Sequence, residues 1–223
     1  MTKLTSPELV YDKQGKAHEI VDFNNDYTAS KLGLWLFLFT ELMLFGAMFL
    51  VFSFYFFRHG PDFVLASDSL NLILGGTNTF ILLLSTYFMG ISLFNVKENN
   101  IKKAKTAIYI TIGLSIIFLV IKYFEWMAEI HHGIYPDSEA LNALSHGEIL
   151  FFGLYFTMTG FHGIHILVGI GVMIWAIKLI NSKKITSKKY VVLENIALYW
   201  DIVHLVWVFV FPLFYMISYG GAS

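Results

Sequence analysis

Apolar residues in this chain gather into five long runs, at about 33–57, 70–94, 106–127, 149–177 and 190–217. Each run reaches the roughly 20 residues that a helix rising 1.5 Å per residue needs to cross a hydrocarbon layer. None shows the dyad alternation of a transmembrane strand. The pattern predicts an all-α integral membrane protein, a bundle of five transmembrane helices forming one domain over 31–223. A polar, mixed-charge tail at 1–30 precedes it. The tail lacks the apolar core and small-residue cleavage site of a signal peptide. No internal repeat or second domain is visible.

Composition sharpens this. The chain is 57% hydrophobic and only 14% charged, against about 25% charge in soluble domains. A soluble domain and a disordered chain are both excluded. The absence of cysteine removes disulfides, iron–sulfur clusters, thiolate metal sites and a cysteine nucleophile. A net charge of −1 offers no basic face for nucleic acid.

The basic residues predict the orientation. Lys3, Lys13, Lys16 and Lys31 precede the first span. Lys97, Lys102, Lys103 and Lys105 lie between the second and third. Lys178, Lys183, Lys184, Lys188 and Lys189 lie between the fourth and fifth. Only Arg58 and the intramembrane Lys122 fall elsewhere. The positive-inside rule therefore places the N-terminus in the cytoplasm and the C-terminus in the periplasm.

Polar groups inside the runs are the candidate chemistry. A mid-bilayer charge costs about 2.5–3.5 kcal/mol on insertion scales, so each should face protein or water. Glu41, in an otherwise apolar stretch, is either a proton-linked acid or a structural one bonded to a neighbouring helix. On span four, His162 and His165 lie about 60° apart on one face. Gly153, Gly160 and Gly171 occupy the opposite face, which predicts a span packed on both sides. On span five, Glu194, Asp201 and His204 form one stripe. An interhelical hydrogen-bonded cluster of His162, His165, Asp201 and His204 is expected. Asp201-Ile-Val-His204 and Glu129-Ile-His-His132 each look like half of a di-iron set, but they sit at different depths, so no metal site is expected. Lys122 and Glu125, one turn apart, are placed to pair; the alternative is a snorkelling lysine.

Several stretches together resemble a known family. Thr157-Met-Thr-Gly160-Phe-His162-Gly163-Ile-His165 is similar to the Thr-Gly-Phe-His-Gly-x-His signature of subunit III of the haem–copper oxidases. Thr40-Glu41 resembles that family's intramembrane glutamate motif, Asn78-Thr79 its Asn-Thr pair, and Tyr123-Phe-Glu125-Trp126 its Glu-aromatic motif. Glu194-Asn195, Tyr199-Trp200 and Val206-Trp207 resemble its last helix. Five spans correspond to the short bacterial form. One departure stands out. The family reads Tyr-Trp-His-x-x-Asp, whereas this chain has Tyr199-Trp200-Asp201-Ile-Val-His204.

The resemblance implies a subunit without a redox centre or a cofactor of its own, in a bacterial inner membrane. Haem and copper would reside in partner subunits I and II. This chain would pack beside subunit I, hold phospholipid in an interhelical cleft, and support proton uptake and sustained turnover. The alternatives are an accessory subunit of a related nitric oxide reductase, a stand-alone membrane metalloenzyme, and a proton-conducting protein using Glu41, Glu194 and Asp201.

Overall fold

The five apolar runs become five long helices in the computed structural model, which describes residues 9–11, 17–19, 27–135 and 138–220. Lys3, Lys13 and Lys16 lie outside the described residues. Helix α1 covers Tyr27–Asp68, α2 Leu72–Lys97, α3 Ile101–His131, α5 His146–Asn181 and α6 Val191–Tyr215. Two four-residue turns accompany them, α4 at Glu139–Asn142 and α7 at Ile217–Gly220. In the tail, strands β1 (Leu9–Tyr11) and β2 (Ala17–Glu19) pair antiparallel with Leu9 opposite Glu19.

The helices overrun the spans read from the sequence. α1 starts at Tyr27 and reaches Asp68, and α5 starts at His146 and ends at Asn181. Apolar content measures only the hydrocarbon crossing. Backbone bonding continues beyond it wherever side chains suit a wet interface. α5 illustrates a defined start: Ser145 Oγ accepts from the Glu148 amide, and the Glu148 carboxylate accepts from the Ser145 amide, a capping box. α1 breaks at His59, whose φ/ψ of −126°/34° is not helical. Pro61, two residues on, lacks the amide that would bond the preceding turn.

α6 is the centre of the bundle. It packs against α1, α2 and α5, while α3 closes the other side against α2 and α5. Half of α6's most apolar stretch is buried, against about a tenth of α1's. The core is aromatic: Trp200, Trp207, Tyr155, Tyr215, Phe118 and Phe214 are all fully buried. Edge-to-face contacts order it, with Phe118 4.9 Å from Trp207 and Phe52 5.1 Å from Phe214. Such pairs add about 0.5–1.5 kcal/mol beyond their buried area.

The glycine expectation needs correction. Gly153 and Gly171 face open space, and of the three only Gly160 meets a neighbour, the Trp126 ring. The close approach lies instead at Gly169, where a Cβ would overlap the Trp200 ring. Spacing along α5 alone could not show this, because the bulky ring comes from α6.

Candidate functional site

The polar residues form three tiers along the helix axes. The first lies at the end carrying the lysine-rich loops. Lys31 Nζ on α1 and Lys97 Nζ on α2 approach Glu194 on α6 at 3.1 and 3.9 Å. Beside them, Asn195 Nδ2 donates to Ser30 Oγ at 2.8 Å. Glu194 therefore ties three helices at one end.

The middle tier holds the histidines. His165 Nδ1–H donates to the Phe161 carbonyl at 2.7 Å, which leaves Nε2 facing Glu41 Oε2 at 2.6 Å. Tyr199 O–H closes the unit by donating to the His165 carbonyl at 2.9 Å, so α1, α5 and α6 meet here. His204 is bound elsewhere. Its Nδ1–H donates to the Trp200 carbonyl at 2.5 Å, and its Nε2 lies 2.9 Å from Ser85 Oγ on α2. The Ser85 hydroxyl also lies 2.7 Å from the Leu82 carbonyl, to which it donates, and it accepts from Trp200 Nε1–H at 3.3 Å.

The expected four-residue cluster is thus divided. His165 pairs with Glu41, and His204 pairs with Ser85. His162 is buried against Trp207, with ring centroids 4.8 Å apart, and both its nitrogens lack a hydrogen-bond partner among the described residues. Asp201 is exposed on the outside of the bundle. The physical reason is helix rotation. On α6 the two side chains lie about 60° apart: His204 turns onto Ser85 of α2, while Asp201, beside that contact and on the side away from α5, is exposed. The exchanged order of Asp201 and His204 thus puts the imidazole inside and the carboxylate outside.

The third tier is the most polar. Lys122 Nζ lies 3.3 Å from Glu125 Oε2, 3.1 Å from Tyr155 Oη and 2.8 Å from Tyr215 Oη. Tyr155 O–H donates to Glu125 Oε1 at 2.8 Å, and Tyr215 O–H donates to the same oxygen. All four side chains are buried. Lys122 also stands 5.2 Å over the Trp207 ring, a cation–π contact. The lysine is paired here, not snorkelling. Below it Trp207 Nε1–H donates to Thr79 Oγ1 at 3.0 Å.

The remaining motif positions are placed as follows. Thr40 Oγ1 donates to the Phe37 carbonyl of its own helix at 2.7 Å. Asn78 is fully buried, and its amide has no partner among the described residues. Gly160 and Gly163 open a groove of about 380 Å³ between α3 and α5, whose wall includes Phe118, Lys122, Trp126 and Thr159. Among the described residues, no group of three or more His, Asp or Glu is placed to hold a metal ion. The sequence reading missed Tyr155, Tyr215 and Ser85. Tyr155, Thr159 and His162 recur at i, i+4 and i+7 on α5, a buried-face signal. Ser85 carried none.

These ties define an all-helical bundle, with five helices long and apolar enough to cross a membrane, whose acids join helices to one another. The model of the family "Cytochrome c oxidase subunit III" matches residues 22–219, and the chain belongs to that family. It is 30% identical over 199 residues to "Probable quinol oxidase subunit 3" of Staphylococcus aureus, covering 86% of this chain and 92% of that protein. A protein of the same description from Staphylococcus haemolyticus is 27% identical over 196 residues, with the same coverage. The chain is a subunit III of a respiratory haem–copper oxidase.

Proposed function

We propose that this chain is the non-redox subunit III of a proton-pumping terminal oxidase. In this reading it packs beside subunit I, and haem and copper stay with subunits I and II. It crosses a bacterial inner membrane five times with its N-terminus cytoplasmic and its C-terminus periplasmic. The lysine-rich loops at one end support that orientation.

One observation carries the scaffold role. Glu41, Glu125 and Glu194 each bond a side chain on a neighbouring helix: His165, Tyr155 with Tyr215, and Lys31. Acids spent on interhelical bonds favour a fixed support over a stand-alone conductor. The groove between α3 and α5, about 380 Å³ with a largely apolar wall, offers room for part of an acyl chain, which fits a phospholipid-holding role that sustains turnover and proton uptake.

The test is a gentle detergent purification through a tag on the N-terminus, with partners identified by mass. Co-purification of a haem-bearing subunit I and a subunit II supports the proposal. A nitric oxide reductase core in their place, or a partner-free chain, overturns it. The relatives named quinol oxidase subunit 3 favour quinol as the electron donor of the whole complex. Faster oxygen uptake with a quinol than with reduced cytochrome c would bear that out, and the reverse order would refute it.

A further inference from the structure

Among the described residues, Asp201 is an unpartnered acid near the middle of a span; Glu129, at the end of α3, also lacks a hydrogen bond at Oε2 but is buried. Asp201 sits near the middle of α6, where lipid would be its surroundings, and it is exposed. Among the described residues it makes no hydrogen bond or ion pair. Every other acid well inside a span is covered by a neighbouring helix. Asp201 stands at the centre of a narrow stripe with Leu205 and Val208, exposed at 45% and 41%, all within about 60° of one another. Apart from Phe209, which is also exposed beside the stripe, the rest of α6 is buried or half-buried. His204, Trp200 and Trp207 reach α2. The Phe209 ring lies tilted 6.2 Å from Phe49 of α1, and Tyr199 reaches α5. α1 and α2 each flank α6 without an extensive contact between them. The stripe is therefore the floor of a groove between α1 and α2.

We infer that this groove receives a transmembrane helix of a partner subunit that presents a cationic hydrogen-bond donor, a lysine, arginine or protonated histidine, to Asp201 at mid-membrane depth. Charge complementarity selects this occupant. A carboxylate facing hydrocarbon is costly, and such groups face protein or water. The apolar residues on either side accept a helix, and only a donor satisfies the acid between them. A second copy of this chain is a poorer fit, because it would bring another acid to the same place. The inference rests on the chain being an oxidase subunit, and it adds the face and the residue through which that subunit docks.

The test uses the tagged complex and two variants. Asp201→Leu separates lipid from protein by sign. Against lipid, leucine is the better residue, so the chain would be retained in the complex as well as wild type or better. Against a partner cation, it leaves that cation unpaired, and retention after detergent washing should fall about tenfold or more, with Asp201→Asn intermediate. A photo-crosslinking residue at Leu205, which keeps Asp201, should capture a haem-bearing partner subunit. Capture of lipid alone or of a second copy of this chain, or full retention of Asp201→Leu, overturns the inference while leaving the subunit reading intact. If the wild-type chain brings down no oxidase subunit at all, the subunit reading itself fails, and the two failures are told apart.

Discussion

The carboxyl of Glu41 on α1 and Nε2 of His165 on α5 stand 2.6 Å apart, and this contact is the polar tie that holds the middle of α1 to α5. α1 is otherwise the least buried of the five spans. Its other polar ties lie toward its two ends, Lys31 to Glu194, Ser30 to Asn195 and Ser67 Oγ–H to the Phe214 carbonyl, and between them its hold is apolar, through contacts such as Phe45 on the His165 ring and Phe52 on Phe214.

Glu41→Ala should therefore assemble but weaken the attachment of α1. Interhelical hydrogen bonds in membranes average about 0.6 kcal/mol and reach about 1.7. A double-mutant cycle of Glu41→Ala and His165→Ala, read by thermal unfolding of the purified complex, should give a coupling in that range. The working lifetime of the enzyme should shorten in Glu41→Ala. Zero coupling together with unchanged turnover and lifetime across a pH series would refute this.

Lys122 and Glu125 give a larger effect. Lys122→Met leaves the Glu125 carboxylate buried among two tyrosines, and breaking one partner of a buried pair costs about 3–5 kcal/mol. Lys122→Met combined with Glu125→Gln should recover much of that loss, since the amide needs no cation and still accepts from Tyr155 or Tyr215. The measurement is complex yield and melting temperature for both variants. Equal loss in the single and double variants would contradict a paired role.

Two glycines on the same helix should respond in opposite ways. Gly169→Ala drives a Cβ into the Trp200 ring, and overpacking costs about 1–3 kcal/mol. Gly153→Ala meets nothing within 4 Å and should be neutral or stabilising, by up to about 1 kcal/mol. Melting of the two variants side by side checks the sign of each.

Gly163 lines the groove between α3 and α5, and a Cβ there meets no atom within 4 Å. Gly163→Leu should fold normally while filling the space proposed for an acyl chain. Lipid extraction and mass analysis should then find less phospholipid retained per complex, with faster loss of activity during turnover. Unchanged lipid content would argue against this groove as the holding site.

The helices could be read from the sequence because a hydrocarbon layer imposes one requirement, an unbroken apolar run, that single positions reveal. Their ends could not, since Tyr27 and His146 begin helices in the interface, where apolar content says nothing. Site residues follow the same division. The pairing of Lys122 with Glu125 lies within one turn and is visible in spacing. The partners of Glu41 and His204, and the exposure of Asp201, depend on how α1, α2, α5 and α6 are rotated about their axes. That rotation is set by large rings such as Trp200 and Trp207, whose targets lie on other helices. The four-residue cluster expected at mid-depth failed for this reason: matching depth does not make residues face one another.

The most direct measurement of the non-redox role is the haem and copper content of the complex before and after this chain is stripped from it. A scaffold subunit should come away colourless, with haem and copper remaining on the other subunits and early turnover still present but short-lived. Haem or copper leaving in fixed proportion with this chain would contradict that role.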